Sequence, residues 1–181
     1  MLQIAYYLLA LVVFLLHVAI AKKVISKSYP QNKHRPKLSL LVGGFCLWFT
    51  YIFVLASSGF FKVFSFPPRF FVFLLLPALL FSFIFLYSNR SKVWLQNLPV
   101  SWTFYLQSFR IFIEVLFVFT VAQGILPPQV TIEGYNYDMV YAVLTPLVGY
   151  LVFSKKLLSI NFALFWNYLG LAVIASIVFL F

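Results

Sequence analysis

Arg110 and Glu114 stand four residues apart in the apolar run Phe109-Arg110-Ile111-Phe112-Ile113-Glu114, where ions are out of place. On a helix that spacing puts both on one face about one turn apart, which predicts a direct ion pair. Gln107, three residues before Arg110, extends the same polar face. An Arg or Asp at the centre of a membrane span costs about 2.5–3.5 kcal/mol on insertion scales, so the stripe is expected to point into a bundle. Such a stripe could bind or relay a small ligand, or it could simply hold helices together. Other chemistry is scarce. Two histidines and one cysteine are too few for a His-rich dimetal centre or a thiolate cluster, and no G-x-S-x-G, P-loop or H-E-x-x-H pattern is present. No catalytic residue, metal or cofactor is expected, and the reading leans away from an enzyme.

The elements that position these residues follow from composition. Of 181 residues 64% are hydrophobic and 9% are charged, which excludes a soluble globule, a disordered chain and a disulfide scaffold. An all-α, polytopic transmembrane bundle is predicted, a single membrane domain over residues 1–181. Apolar runs of span length fall at residues 4–21, 38–56, 70–87, 103–123, 138–154 and 160–181, giving about six spans. The first has no positive n-region and no small-residue cleavage site, so it reads as retained. Pro77 and Pro146 each remove a backbone donor from a span and predict kinks. Residues 57–69, rich in phenylalanine and ending with Pro67-Pro68-Arg69, read as an interfacial connector.

Charge sets the orientation. The formal charge of +10 comes from cations that flank the spans, which argues for topology determinants and against a nucleic-acid partner. The first, third and fifth loops hold ten Lys and Arg, while the second holds Lys62 and Arg69 and the fourth holds none. The odd loops are therefore expected to be cytoplasmic, with both termini outside. On that orientation Arg110 lies about 10 Å deep and Glu114 about 16 Å, with Asn167 of the sixth span level with Arg110. The predicted cluster is Arg110, Glu114 and Asn167, with Gln107 and His17 at its mouth. His34, in the basic first loop, reads as solvated.

The loop between the fourth and fifth spans is rich in turn chemistry. Pro127-Pro128 stops a helix, Gly134 permits a positive φ, and Asn136 and Asp138 can close Asx turns. Asp138 is expected to cap the fifth span. Glu133 and Asp138 together fall short of the oxygen count of a calcium site.

These segments carry a resemblance. Phe109-Arg110 with Glu114, then Pro127-Pro128-Gln129-Val130-Thr131-Ile132-Glu133-Gly134-Tyr135-Asn136-Tyr137-Asp138, then Trp166-Asn167, are similar to a family of small bacterial multi-pass membrane proteins. The family pattern is F-R-x-x-x-E in a span, P-x-x-M-T-x-E-G-x-N-x-D in a loop and W-N in a later span. Val130 stands where methionine is usual, and the match covers about a third of the chain. The resemblance implies the bacterial inner membrane, a seventh span beyond the equivalent of Phe181, and a grouping of Arg110, Glu114, Glu133, Asn136, Asp138 and Asn167. It implies no reaction. Two functions stay open: a bundle that binds or transports a small ligand, and a non-catalytic subunit or scaffold meeting a membrane-protein partner or a second copy. The bilayer itself is the first partner.

Overall fold

The computed structural model describes residues 1–62, 68–131 and 136–180. Those residues are mostly helical, with no strand among them. Among them four helices are long and apolar enough to cross a membrane: Leu2–Ser28, Gln31–Ser57, Phe71–Asn89 and Val100–Ala122. Asp138–Ser154 is a shorter apolar helix, and the helix that starts at Ile160 is apolar as well. The chain divides into two compact units, Leu16–Leu98 and Met1–Leu15 with Pro99–Phe181.

The first helix, α1 (Leu2–Ser28), runs two turns past the apolar stretch 4–21. Lysine is a good helix former, so Lys22 and Lys23 do not end it. It stops just before Tyr29-Pro30, because the residue preceding a proline is pushed out of the α region. A 3-10 turn, Gln31–Lys33, leads into α2 (His34–Ser57), whose Pro36 falls in the first turn where no intrahelical donor is needed. Within the Leu16–Leu98 unit the His17 ring packs against Phe45 with centroids 6.0 Å apart, so the end of α1 and α2 run as an antiparallel hairpin.

A π-helical turn, Phe71–Leu75, opens the next segment and runs into α3 (Leu76–Asn89), with Pro77 at its second position. Proline has no N–H to return to the carbonyl four residues earlier, that of Phe73. Tyr51 Oη on α2 donates to that oxygen at 2.8 Å, so the acceptor released by proline is satisfied by a neighbouring helix. The disturbance anticipated at Pro77 thus takes the form of a π turn and one cross-helix hydrogen bond. Tyr51→Phe should lower the thermal midpoint of the purified chain by an amount equivalent to about 1 kcal/mol, within the range measured for such bonds in membranes. The short α4 (Val93–Gln96) completes this unit.

The other unit holds the first half of α1, then α5 (Val100–Leu106), α6 (Phe109–Ala122), α7 (Asp138–Gly149) with a π turn at Tyr150–Ser154, and α8 (Ile160–Leu180). The span expected at 103–123 thus falls in the membrane-length stretch Val100–Ala122, which carries a local step between α5 and α6. Its core joins Phe104, Val148, Val152 and Ala163, with Phe153, Phe162 and Trp166 packed against them. Tyr6 Oη lies 2.8 Å from Thr120 Oγ1, tying α1 to α6. Past Ala122 the chain closes with Gly124 at φ 69°, where Gly124 N–H donates to Val121 O and Ile125 N–H to Thr120 O, the double bond of a Schellman end.

Candidate functional site

The site is built from α6, α7, α8 and the residues that lead into α7. Two residues, Gln107 and Ser108, separate α5 from α6. There the backbone tightens: Gln107 N–H reaches Phe104 O, Ser108 N–H reaches Tyr105 O, Arg110 N–H reaches Gln107 O and Ile111 N–H reaches Ser108 O. These are three-residue steps in place of four, a 3-10 break of the kind that re-aims a helical face. Arg110 and Glu114 then lie on the buried side of α6 with Thr120.

The sequence expectation of an Arg110–Glu114 pair is corrected here. Arg110 forms a bidentate pair with Asp138: Nε donates to Oδ2 at 2.9 Å, and Nη2 donates to Oδ1. Glu114 accepts instead from Asn136, whose Nδ2 lies 3.2 Å from Oε1 and 3.0 Å from Oε2. The physical reason is geometric. A guanidinium fork matches both oxygens of a carboxylate approaching end-on from a facing helix, and a partner one turn along the same helix rarely offers that alignment.

Asp138 was also expected to cap the fifth span, and this too is corrected. It is the first residue of α7, its carboxylate is committed to Arg110, and the cap position is Tyr137, with no side-chain cap bond. Asn136 supplies the local acceptor, its Oδ1 receiving the Asp138 N–H at 2.9 Å, the Asx turn that spacing suggested. The same Asn136 gives Nδ2 to Val130 O at 2.7 Å and its backbone N–H to Thr131 O at 3.2 Å. It is 0% exposed, so one amide ties the loop to itself, to α6 and to the start of α7. Glu133 and Gly134 lie outside the described residues.

A second layer joins α8. Gln107 Nε2 donates to Asn167 Oδ1 at 2.8 Å, and Tyr141 Oη donates to Gln107 Oε1 at 3.0 Å. Asn167, expected level with Arg110 and grouped with Glu114, thus bonds to Gln107, one turn before Arg110 on the chain. The Arg110 Cζ sits 4.7 Å from the Tyr141 ring centre, and Trp166 stacks on the same ring at 5.1 Å with 13° between planes. Trp166 Nε1 donates to Thr145 Oγ1 at 2.9 Å. His17 falls in the Leu16–Leu98 unit, where its ring meets Phe45.

Sequence reasoning missed Tyr141, Thr145 and Gly170. The signal existed for the first two, because Asp138, Tyr141, Thr145 and Gly149 recur at helical spacing and all are buried on α7. Gly170 is explained by close approach: a Cβ there would meet Tyr141 Cζ and Oη at 2.4 Å. Gly170→Ala should displace the Tyr141 ring, weaken its stack on Trp166 and destabilise the chain by about 1–3 kcal/mol. Tryptophan fluorescence and the thermal midpoint, measured together, check this.

Among the described residues every buried side-chain nitrogen and oxygen has a hydrogen-bond partner. The arrangement is therefore a buried ion pair with satisfied amide and aromatic neighbours, among described residues whose apolar helices are compatible with a membrane. A comparison with known protein families, with curated proteins and with solved structures finds no match.

Proposed function

We propose that this chain is a non-catalytic multi-pass protein of the bacterial inner membrane, a structural subunit whose polar cluster fastens the α6–α7 connection to the bundle. The single observation that carries the reading is the pairing of Arg110 with Asp138 and of Glu114 with Asn136. Each costly intramembrane charge meets its partner within the chain, which supports a fastening and leaves little for a ligand to engage. The chain crosses the membrane six times in this reading, with α7 and its π turn as the fifth span and α8 as the sixth. At 1.5 Å per residue α8 reaches about 31 Å, near the thickness of the hydrocarbon core. The odd loops face the cytoplasm and both termini face outward, as the count of cations favours. Many large apolar side chains are exposed, among them Leu79, Phe81, Phe83 and Ile84 on α3. They suit lipid contact and packing against a partner membrane protein or a second copy.

The break at Gln107–Ser108 favours one other reading, a gated site for a small anion that would take Arg110 by displacing Asp138. Water access separates the two. In a Cys46→Ser background, Ala142→Cys places a thiol of similar size at a position that is 0% exposed on α7. A fastened, dry cluster leaves it unlabelled by a charged maleimide until the chain is denatured, whereas rapid labelling of the folded protein supports the anion site. A reporter fused at residue 31 should be active on the cytoplasmic side.

A further inference from the structure

The Leu16–Leu98 unit contains no Asp or Glu, although ten of the chain's thirteen Lys and Arg fall within it. Most of them gather at one end of the α1–α2 hairpin: Lys22, Lys23 and Lys27 on the last turns of α1, then Lys33, Arg35 and Lys37 on the turn and the start of α2. All but Lys37 are exposed. The connection is held in shape. His34 Nε2 lies 2.7 Å from Tyr29 O, and Lys37 Nζ sits 4.1 Å from the Tyr29 ring centre. Asn97 Nδ2 donates to Ser28 Oγ at 3.0 Å, which brings the end of α4 to the end of α1 and Lys92 into the neighbourhood.

Length fixes the level of these charges. A 27-residue helix spans about 40 Å, against about 30 Å of hydrocarbon, so its last turns stand in the headgroup layer. Lys22 and Lys23 fall at the edge of the apolar stretch, and Lys27 lies about 8 Å further out at 1.5 Å per residue. That interval matches the depth of the headgroup layer. With no carboxylate in the unit, the counter-charge must come from outside it.

We propose that this end of the hairpin binds anionic phospholipid headgroups, with Lys22 and Lys23 at the phosphate level and Lys27, Lys33, Arg35 and Lys92 around it. The surface rests on the membrane reading above and goes beyond it by assigning a ligand class. A lipid phosphate fits better than a free polyanion because the cations rise directly from an apolar helix, so one molecule can place tails and phosphate together.

The test uses the full chain, first shown to resist alkaline carbonate extraction, so that failure of the membrane reading is seen separately. The purified protein is offered equal cardiolipin, phosphatidylglycerol and phosphatidylcholine, and retained lipid is read by native mass spectrometry. The two anionic lipids should be retained in preference to phosphatidylcholine. Each cation near an anionic surface is worth about fivefold, so Lys22→Gln/Lys23→Gln/Lys27→Gln should weaken anionic-lipid retention on the order of a hundredfold at low salt. The corresponding triple Arg variant should keep it, and Lys155→Gln/Lys156→Gln, which leaves the hairpin end intact, should weaken it much less. Equal retention of all three lipids overturns the proposal. Equal loss in the Lys155/Lys156 variant does so too, as does full displacement of the lipid by a short oligonucleotide or by inorganic phosphate.

Discussion

Replacing Asp138 with alanine is expected to lower the stability of the folded chain by about 3–5 kcal/mol, the range found when one member of a buried ion pair is removed. The expectation follows from what stays behind. Arg110 is 9% exposed and directs both Nε and Nη2 at the Asp138 carboxylate, so truncation leaves a desolvated guanidinium without its counter-ion. The Tyr141 ring beneath it offers a cation–π contact that recovers a small part, about 1–2 kcal/mol at most. Arg110→Met/Asp138→Leu should be far closer to the parent than either single change, because apolar residues of similar volume replace a buried pair at little cost. Equilibrium unfolding in mixed micelles reads all of these. A loss under about 1 kcal/mol in Asp138→Ala would place the pair with solvent-exposed bridges.

Asn136→Asp should be nearly as damaging, at about 3 kcal/mol, for a different reason. The new carboxylate would sit where Nδ2 now meets both oxygens of Glu114, turning two hydrogen bonds into a contact between like charges. It would also lose the donor to Val130 O. Glu114→Gln added to Asn136→Asp restores a donor facing an acceptor across the same gap. The double variant should regain much of the loss, though not the part that belongs to the Val130 carbonyl. Equal stability of the single and double variants would show that the Glu114–Asn136 contact carries little energy.

The local terms of this fold were legible in the sequence, and the cross-helix terms were not. Periodicity and apolar length marked the helices, and 138–154 coincides with α7 and its π turn, because a buried apolar helix writes its length into the chain. The ends were harder. α1 passes through Lys22 and Lys23, and only the Tyr29-Pro30 step stops it, so a hydrophobicity boundary is not a helix boundary. Spacing put Arg110 and Glu114 on one face of α6, where the structure has them. It could not show that a carboxylate 28 residues further on would outcompete the neighbour at i+4, since that depends on how α7 docks. Asn136 read as a turn residue, and it is one, yet its second hand on Glu114 comes from the fold. Gly170 carried no signal, because the Tyr141 ring it admits belongs to another helix.

The central claim is that the Asp138 carboxylate across the helix–helix contact, more than Glu114 on its own helix, neutralises the cation on α6. A double-mutant cycle on stability, with Arg110→Met against Asp138→Leu and, in parallel, against Glu114→Leu, measures this directly. The account predicts a coupling of about 5 kcal/mol or more between positions 110 and 138, since each single change strands its partner and the double change does not, and a distinctly smaller one between 110 and 114. Additivity within about 0.5 kcal/mol at 110 and 138, with the larger coupling at 114, would contradict it.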